Sequence, residues 1–252
     1  MTRTVVAVVV AGAAVANAQV WYGSELTSGE LYRLNIGAGE VVGTAVGASG
    51  FGNVGLAFDG VGNLFGHDTS SGRLLSINTS TGAATTIGFT GILAGEGFAY
   101  DPMADRFLVG GGSGGDIYVV DANTAASALL ATVAVADIDG MSVLSTGVGL
   151  FVAGTVFAVD SGTLYAIDGV SFAATAVGAT AGAESIAFGE DGTLYASDGF
   201  GNVFARDLVT GIETLIANSG STPFITGSAV IPAPGSAVLL GSLGMIAARR
   251  RR

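Results

Sequence analysis

Five short segments of the chain echo one another: Leu31-Tyr-Arg-Leu-Asn35, Leu74-Leu-Ser-Ile-Asn78, Ile117-Tyr-Val-Val-Asp121, Leu164-Tyr-Ala-Ile-Asp168 and Val203-Phe-Ala-Arg-Asp207. Their starts lie 43, 43, 47 and 39 residues apart. Each alternates its side chains as a strand does. Each also ends in Asn or Asp, which can bond its own backbone two residues on and open a turn. Three continue to a glycine at a turn position, Gly39, Gly82 and Gly211, and return strands follow, as in 83–88 and 173–178. Ahead of four of these hairpins lies another pair of strand-like runs, clearest in 55–65 and 185–195, where Asp59-Gly60 and Asp191-Gly192 are hairpin signals. The repeating unit is therefore four short antiparallel strands in about 43 residues.

That size and strand count are those of a β-propeller blade. The first unit begins at Val20-Trp21-Tyr22 and lacks a first strand, whereas Ile225-Thr-Gly-Ser-Ala-Val230 matches a first strand with no unit behind it. The C-terminal strand is therefore expected to complete the N-terminal blade, which removes free sheet edges. Five first strands and five hairpins predict an all-β, five-bladed propeller over residues 19–231. With 42 glycines and no cysteine, the chain has small strands suited to blades packed face to face, and no disulfide to hold the ring. A β-solenoid is the structural alternative, disfavoured because its repeats are usually shorter. Phe58-Asp-Gly-Val-Gly-Asn-Leu-Phe65 resembles the repeats of NHL-like and gluconolactonase-like propellers, families that usually have six blades.

The two ends read differently from the body. Arg3, the apolar run 5–15 and Ala16-Asn17-Ala18 form the three parts of a secretory signal. Residues 1–18 are thus expected to be removed by a signal peptidase between Ala18 and Gln19. Residues 232–252 comprise Pro232-Ala233-Pro234, an apolar stretch from Gly235 to Ala248, and Arg249, Arg250, Arg251 and Arg252. Fourteen residues at ~1.5 Å rise give roughly 21 Å, short of the ~30 Å hydrocarbon core, and arginine snorkelling covers part of the deficit. Four arginines after such a helix stay cytoplasmic and leave the body outside. A permanent short anchor and a buried core helix are the alternatives. These three parts in this order resemble the PEP-CTERM sorting signal of bacterial exported proteins. The resemblance implies an exosortase-type membrane protease as partner and a location at the cell surface, envelope or extracellular matrix. Ala233 stands where that family usually has Glu.

Between the ends, four arginines face all twenty acids, a net of −16. This excludes a nucleic-acid role, which needs clustered Lys or Arg on one face, and favours cations as small partners. Aligning the first strands on Phe58, Tyr100, Val143, Phe188 and Val230 brings Val54, Glu96, Asp139, Glu184 and Thr226 to one position. Three adjacent blades contribute a carboxylate there, so Glu96, Asp139 and Glu184 are expected at one mouth of the central channel. They are candidates for a Ca²⁺ site or an acid–base pair, or simply strand starts bonded to backbone amides. Asp59, Asp101, Asp191 and Asp198 read as turn residues. His67 is an ordinary blade residue in this reading, because no Gly-x-Ser-x-Gly elbow or second histidine accompanies it. Gly110-Gly-Gly-Ser-Gly-Gly115 has no following Lys or helix and reads as a loop rather than a phosphate cradle. The functional expectation is an exported, surface- or matrix-associated, non-catalytic propeller that is a binding or structural protein, with an extracellular polysaccharide, a protein or a metal as partner or, as a purely architectural component, none. The alternative is a secreted Ca²⁺-dependent lactonase or glycosidase using the three carboxylates.

Overall fold

The computed structural model describes residues 19–26, 28–37, 40–52, 54–111, 114–189, 192–198, 200–218 and 225–230. The signal segment, residues 232–252, Gly39 and Asp191 lie outside them. The described chain is twenty strands in five four-stranded antiparallel sheets, and no helix among these residues is long and apolar enough to cross a membrane. In chain order, β1 (Gln19–Glu25), β2 (Glu30–Gly37) and β3 (Glu40–Ala48) begin the first blade. The second is β4 (Val54–Phe58), β5 (Leu64–Asp68), β6 (Arg73–Ile77) and β7 (Ala84–Phe89), and the third is β8 (Gly97–Asp101), β9 (Arg106–Gly111), β10 (Asp116–Val120) and β11 (Ser127–Thr132). The fourth is β12 (Gly140–Val143), β13 (Val156–Asp160), β14 (Thr163–Ile167) and β15 (Ala174–Ala179), and the fifth is β16 (Ala183–Phe188), β17 (Leu194–Asp198), β18 (Asn202–Arg206) and β19 (Glu213–Asn218). The last strand, β20 (Ile225–Val230), pairs antiparallel with β1, Trp21 opposite Val230 and Tyr22 opposite Ala229. The C-terminal strand thus completes the N-terminal blade, and the five-bladed propeller read from the repeat is the fold.

The innermost strands β4, β8, β12, β16 and β20 each pack against the next around the ring. Their closeness follows from one position in the repeat. Three residues before each alignment anchor stand Gly55, Gly97, Gly140, Ser185 and Gly227. A methyl group on Gly140 would lie 2.9 Å from Ser185 Cα and 3.0 Å from the Glu184 carbonyl oxygen. On Gly227 it would fall inside the Val54 carbonyl. Four glycines and a serine therefore let five backbones meet at the axis, a use of glycine for close approach.

Between blades, apolar side chains interlock face to face. Trp21, 1% exposed, meets Tyr195 of the fifth blade edge-on at 4.8 Å between ring centres, with Leu34 and Val203 beside them. This contact seals the junction between the first and last blades. Phe98, Phe107 and Phe65 do the same between the second and third, and Phe157 with Phe188 between the fourth and fifth. Phe98, Phe107 and Phe157, all buried, each contribute roughly 1.5–3 kcal/mol before entropy is charged against them, and the half-buried Phe65 and Phe188 less.

The outer hairpin turns explain the Asn or Asp that ends each repeat motif. Asn78, Asp121, Asp168 and Asp207 each accept two backbone N–H bonds from residues two and three ahead, between 2.7 and 3.2 Å. The backbone then turns left-handed four residues on, at Gly82, Ala125, Phe172 and Gly211. The Gly82 turn docks on Gly47 of the preceding blade, and the turn before Ala125 docks on Gly88, so these two rim turns also fasten one blade to another.

Two local readings need correction. Gly110 and Gly111 are buried residues of β9 rather than loop, because Ile138 and Ile92 pack where their side chains would be. The turn at Asp59 is longer than a two-residue hairpin: the Asp59 carboxylate accepts from the amides of Val61 and Asn63 and from the Asn63 side chain, closing a wider loop.

Candidate functional site: the acidic mouth of the central channel

All five innermost strands run the same way along the axis, so their starts share one face of the ring. The blade-to-blade connections and the turns between second and third strands lie on this mouth face. The first-to-second turns lie on the opposite, exit face. Glu96 immediately precedes β8, and Asp139 immediately precedes β12. Glu184 lies within β16, where the register with β17 slips between Ala183 and Ser185. The ladder of β20 with β1 slips at the matching place, so the backbone at Thr226 is bulged as well. At four of the five aligned positions, Val54 being the exception in its regular pair with Asp68, the inner strand stands before or at a break in pairing, a setting that re-aims side chains.

Three carboxylates from adjacent blades meet here electrostatically. The Glu184 carboxyl is pushed above its ordinary range, first by burial and then by the charges of Asp139, Glu96 and Asp198. Asp139 is pushed the same way by burial and by Asp137 and Asp160, against an opposing bond from the Ser161 amide at 2.9 Å. Asp160 in turn accepts from the amides of Ala136 and Asp137 at 3.0 and 3.3 Å, which ties down the connection that delivers Asp139. The Ser161-Gly162 turn that places the Ser161 amide has both residues left-handed, as a two-residue hairpin requires. Asp137 and Asp160 were not apparent from the sequence. Their only signal was spacing, since one precedes Asp139 by two residues and the other closes the paired strand.

The site is shallow. Behind the carboxylates the glycine ring narrows the axis, and the space lined by Gly55, Glu96, Gly140, Ser185 and Gly227 is about 10 Å³, room for the centre of one water. Among the described residues, no group of three or more His, Asp or Glu could hold a metal ion. Glu96, Asp139 and Glu184 therefore form a focused negative potential, not a preformed ligand cage.

The other acids are accounted for by local structure. Asp59, Asp101 and Asp198 each accept backbone amides in their turns, Asp101 also pairs with Arg106 Nε at 3.1 Å, and Asp198 accepts from the Asn202 side-chain Nδ2 at 2.6 Å. His67 on β5 is fully buried. Its Nδ1 donates to the Gly95 carbonyl at 3.0 Å and its Nε2 is 3.1 Å from the Thr90 hydroxyl. Burial lowers its pKa against the smaller opposing effects of the Gly95 bond and Asp68. It is a buried strut under the connection leading to Glu96.

Comparison with known proteins supports the architecture and stops there. No family model matches the chain, and no curated protein matches it by sequence. Among solved structures, it is similar to a chain of the nidogen/laminin complex, with 13% identity over 85% of this chain and 86% of that one, and a TM-score of 0.57. It is also similar to a structural-genomics protein of unknown function from Bacteroides thetaiotaomicron, with 14% identity over 79% of this chain and a TM-score of 0.53. The chain spans 58% of that second protein's length. Likenesses at these identities establish the β-propeller fold.

Proposed function

We propose that this chain is an exported β-propeller that serves as a non-catalytic binding or structural component of the cell surface, envelope or matrix. A signal peptidase removes residues 1–18. Residues 232–252 engage the membrane and are read there by an exosortase-type protease. The observation that supports this most is the sequence order at the end of the chain: the ring-closing strand stops at Val230, and Pro232-Ala233-Pro234, an apolar run and four arginines follow directly. The body then presents its acidic mouth to cations or to polar groups of an extracellular polysaccharide or protein.

Expression of the full chain in a bacterium with an exosortase, followed by fractionation, tests the sorting half of this reading. Wild type should reach the envelope or medium without residues 1–18, and replacement of Arg249 to Arg252 by Ser should change where it accumulates. Identical, cytoplasmic accumulation of both would refute it.

A catalytic reading, a lactonase or glycosidase, draws support from one feature only: Glu184 and Asp139 hold their protons more tightly than ordinary carboxyls, as a general acid must. Lactone or glycoside turnover abolished by Glu96→Gln or Glu184→Gln would establish it over the binding role.

A further inference from the structure

The face opposite the acidic mouth carries a feature that the binding role leaves unused. The connection between β12 and β13, residues 144–155, is longer than the matching turns at 59–63, 102–105 and 189–193. It folds on itself through a bridge between Val148 and Phe151 and lifts Leu150 and Val152 out of the body, 97% and 66% exposed. Gly149 of this loop lies against Val209, and Gly154 lies against Met103 and Gly169, next to Val170. Met103, Val170 and Val209 are themselves 58%, 90% and 69% exposed. These exposed apolar side chains therefore gather on the exit face of the third, fourth and fifth blades, among the turn residues Asp105, Asp168 and Asp207, and such gatherings mark interaction surfaces.

What lies against this face follows from where the chain leaves it. Strand β20 runs from the mouth face to the exit face, and β1, antiparallel to it, begins beside the Val230 end. Both apolar terminal segments of the sequence, 5–15 and 235–248, are thus attached at the exit face. Five Cα steps separate Val230 from Gly235, at most about 18 Å of extended chain, and two of the four residues between are proline. The six-residue β20 is itself about 17 Å long, so this linker cannot carry the apolar segment around to the mouth.

We infer that the exit face is a membrane-docking surface. When residues 235–248 enter a bilayer, Leu150, Val152, Val170, Val209 and Met103 press into the lipid interface and the acidic mouth points away from it. This rests on the membrane reading of the tail given above. It commits the patch to lipid, rather than to the chain's own tail or to a second copy.

The chain has no cysteine, so single thiols can be placed and labelled without removing a native one. Full-length Leu150→Cys, Val170→Cys and, on the mouth face, Ser161→Cys would each carry an environment-sensitive fluorophore. Each would be mixed with phosphatidylethanolamine–phosphatidylglycerol vesicles containing nitroxide-labelled lipid. The expected result is co-flotation of all three, with nitroxide quenching of the labels at 150 and 170 several-fold stronger than at 161. Co-flotation with equal quenching at the three sites, or with all three open to aqueous iodide, overturns the docking surface while leaving the tail's insertion intact. Failure to co-float overturns the membrane reading and the docking surface together. A label at 150 shielded from iodide before vesicles are added assigns the patch to the tail or a second copy and also overturns the inference. Leu150→Ser with Val170→Ser, both fully solvent-facing changes, provides an independent check: vesicle affinity should fall with the thermal midpoint unchanged.

Discussion

Asp121, Asp168 and Asp207 at the rim and Asp139 and Glu184 at the channel mouth are the same chemistry held in opposite ways. Each rim carboxylate is solvent-exposed, and its pKa is drawn below the ordinary range by hydrogen bonds, first from the Thr124 hydroxyl at Asp121 and first from backbone amides at Asp168 and Asp207. Each mouth carboxylate is half-buried among others of like charge, and its pKa is raised by burial first and neighbouring acids second. The rim carboxylates hold the fold together. The mouth carboxylates are tolerated by it, and a group that costs stability where it stands is a candidate for function.

The largest way to break this contrast is to attack the scaffold that gathers the mouth. Gly227→Ala puts a methyl group into the Val54 carbonyl at the ring-closing strand and should cost about 3 kcal/mol. The loss is read as a lower thermal midpoint with early exposure of Trp21, the single tryptophan, at the blade junction. Next in size is His67. Burial lowers its folded pKa, so stability should fall as pH drops from the unfolded value of about 6.5 towards the folded one, by up to ~1.4 kcal/mol per pH unit. Denaturation of His67→Gln across the same range should lack that component. At the rim, Asn78→Ala removes a turn acceptor equivalent to the aspartates and should cost about 1 kcal/mol by denaturant titration.

The smallest effect carries the opposite sign. Asp139→Asn with Glu184→Gln should stabilise the protein at pH 7 by a few tenths of a kcal/mol, screened because both groups are partly exposed. The sign follows from linkage: both carboxyls bind protons more readily folded than unfolded, so the wild-type penalty is full above the folded pKa and disappears as pH falls below the unfolded one. The gain should therefore vanish below about pH 4. Loss of stability in this double variant at neutral pH would mean that the mouth carboxylates are structural after all.

The repeat made most of the fold legible because each unit carries the same two signals, alternation and a turn residue, and five copies reinforce one another. Ring closure was readable from β20 for the same reason: an orphan first strand matched a missing one. The position of Glu96, Asp139 and Glu184 could be read from alignment alone. What they do there could not, since it depends on the bulge at Glu184, on Asp137 and Asp160, and on how far the axis is narrowed. The cause of that narrowing stood one residue away, at Gly55, Gly97, Gly140, Ser185 and Gly227, where small size rather than charge is the message. The exit-face patch escaped sequence reading because Leu150 and Val152 look like strand residues until the loop lifts them out. His67 is the ordinary blade residue that the sequence suggests, although its bonds to Gly95 and Thr90 cross to a connection that periodicity does not describe.

The contrast between rim and mouth is tested most directly by NMR titration of the individual side-chain carboxyl groups in calcium-free buffer. Asp121, Asp168 and Asp207 should titrate below the ordinary aspartate value, and Asp139 and Glu184 above theirs. Asp139 and Glu184 titrating at or below the ordinary values would contradict the account, because the mouth would then be a set of satisfied structural carboxylates like those at the rim.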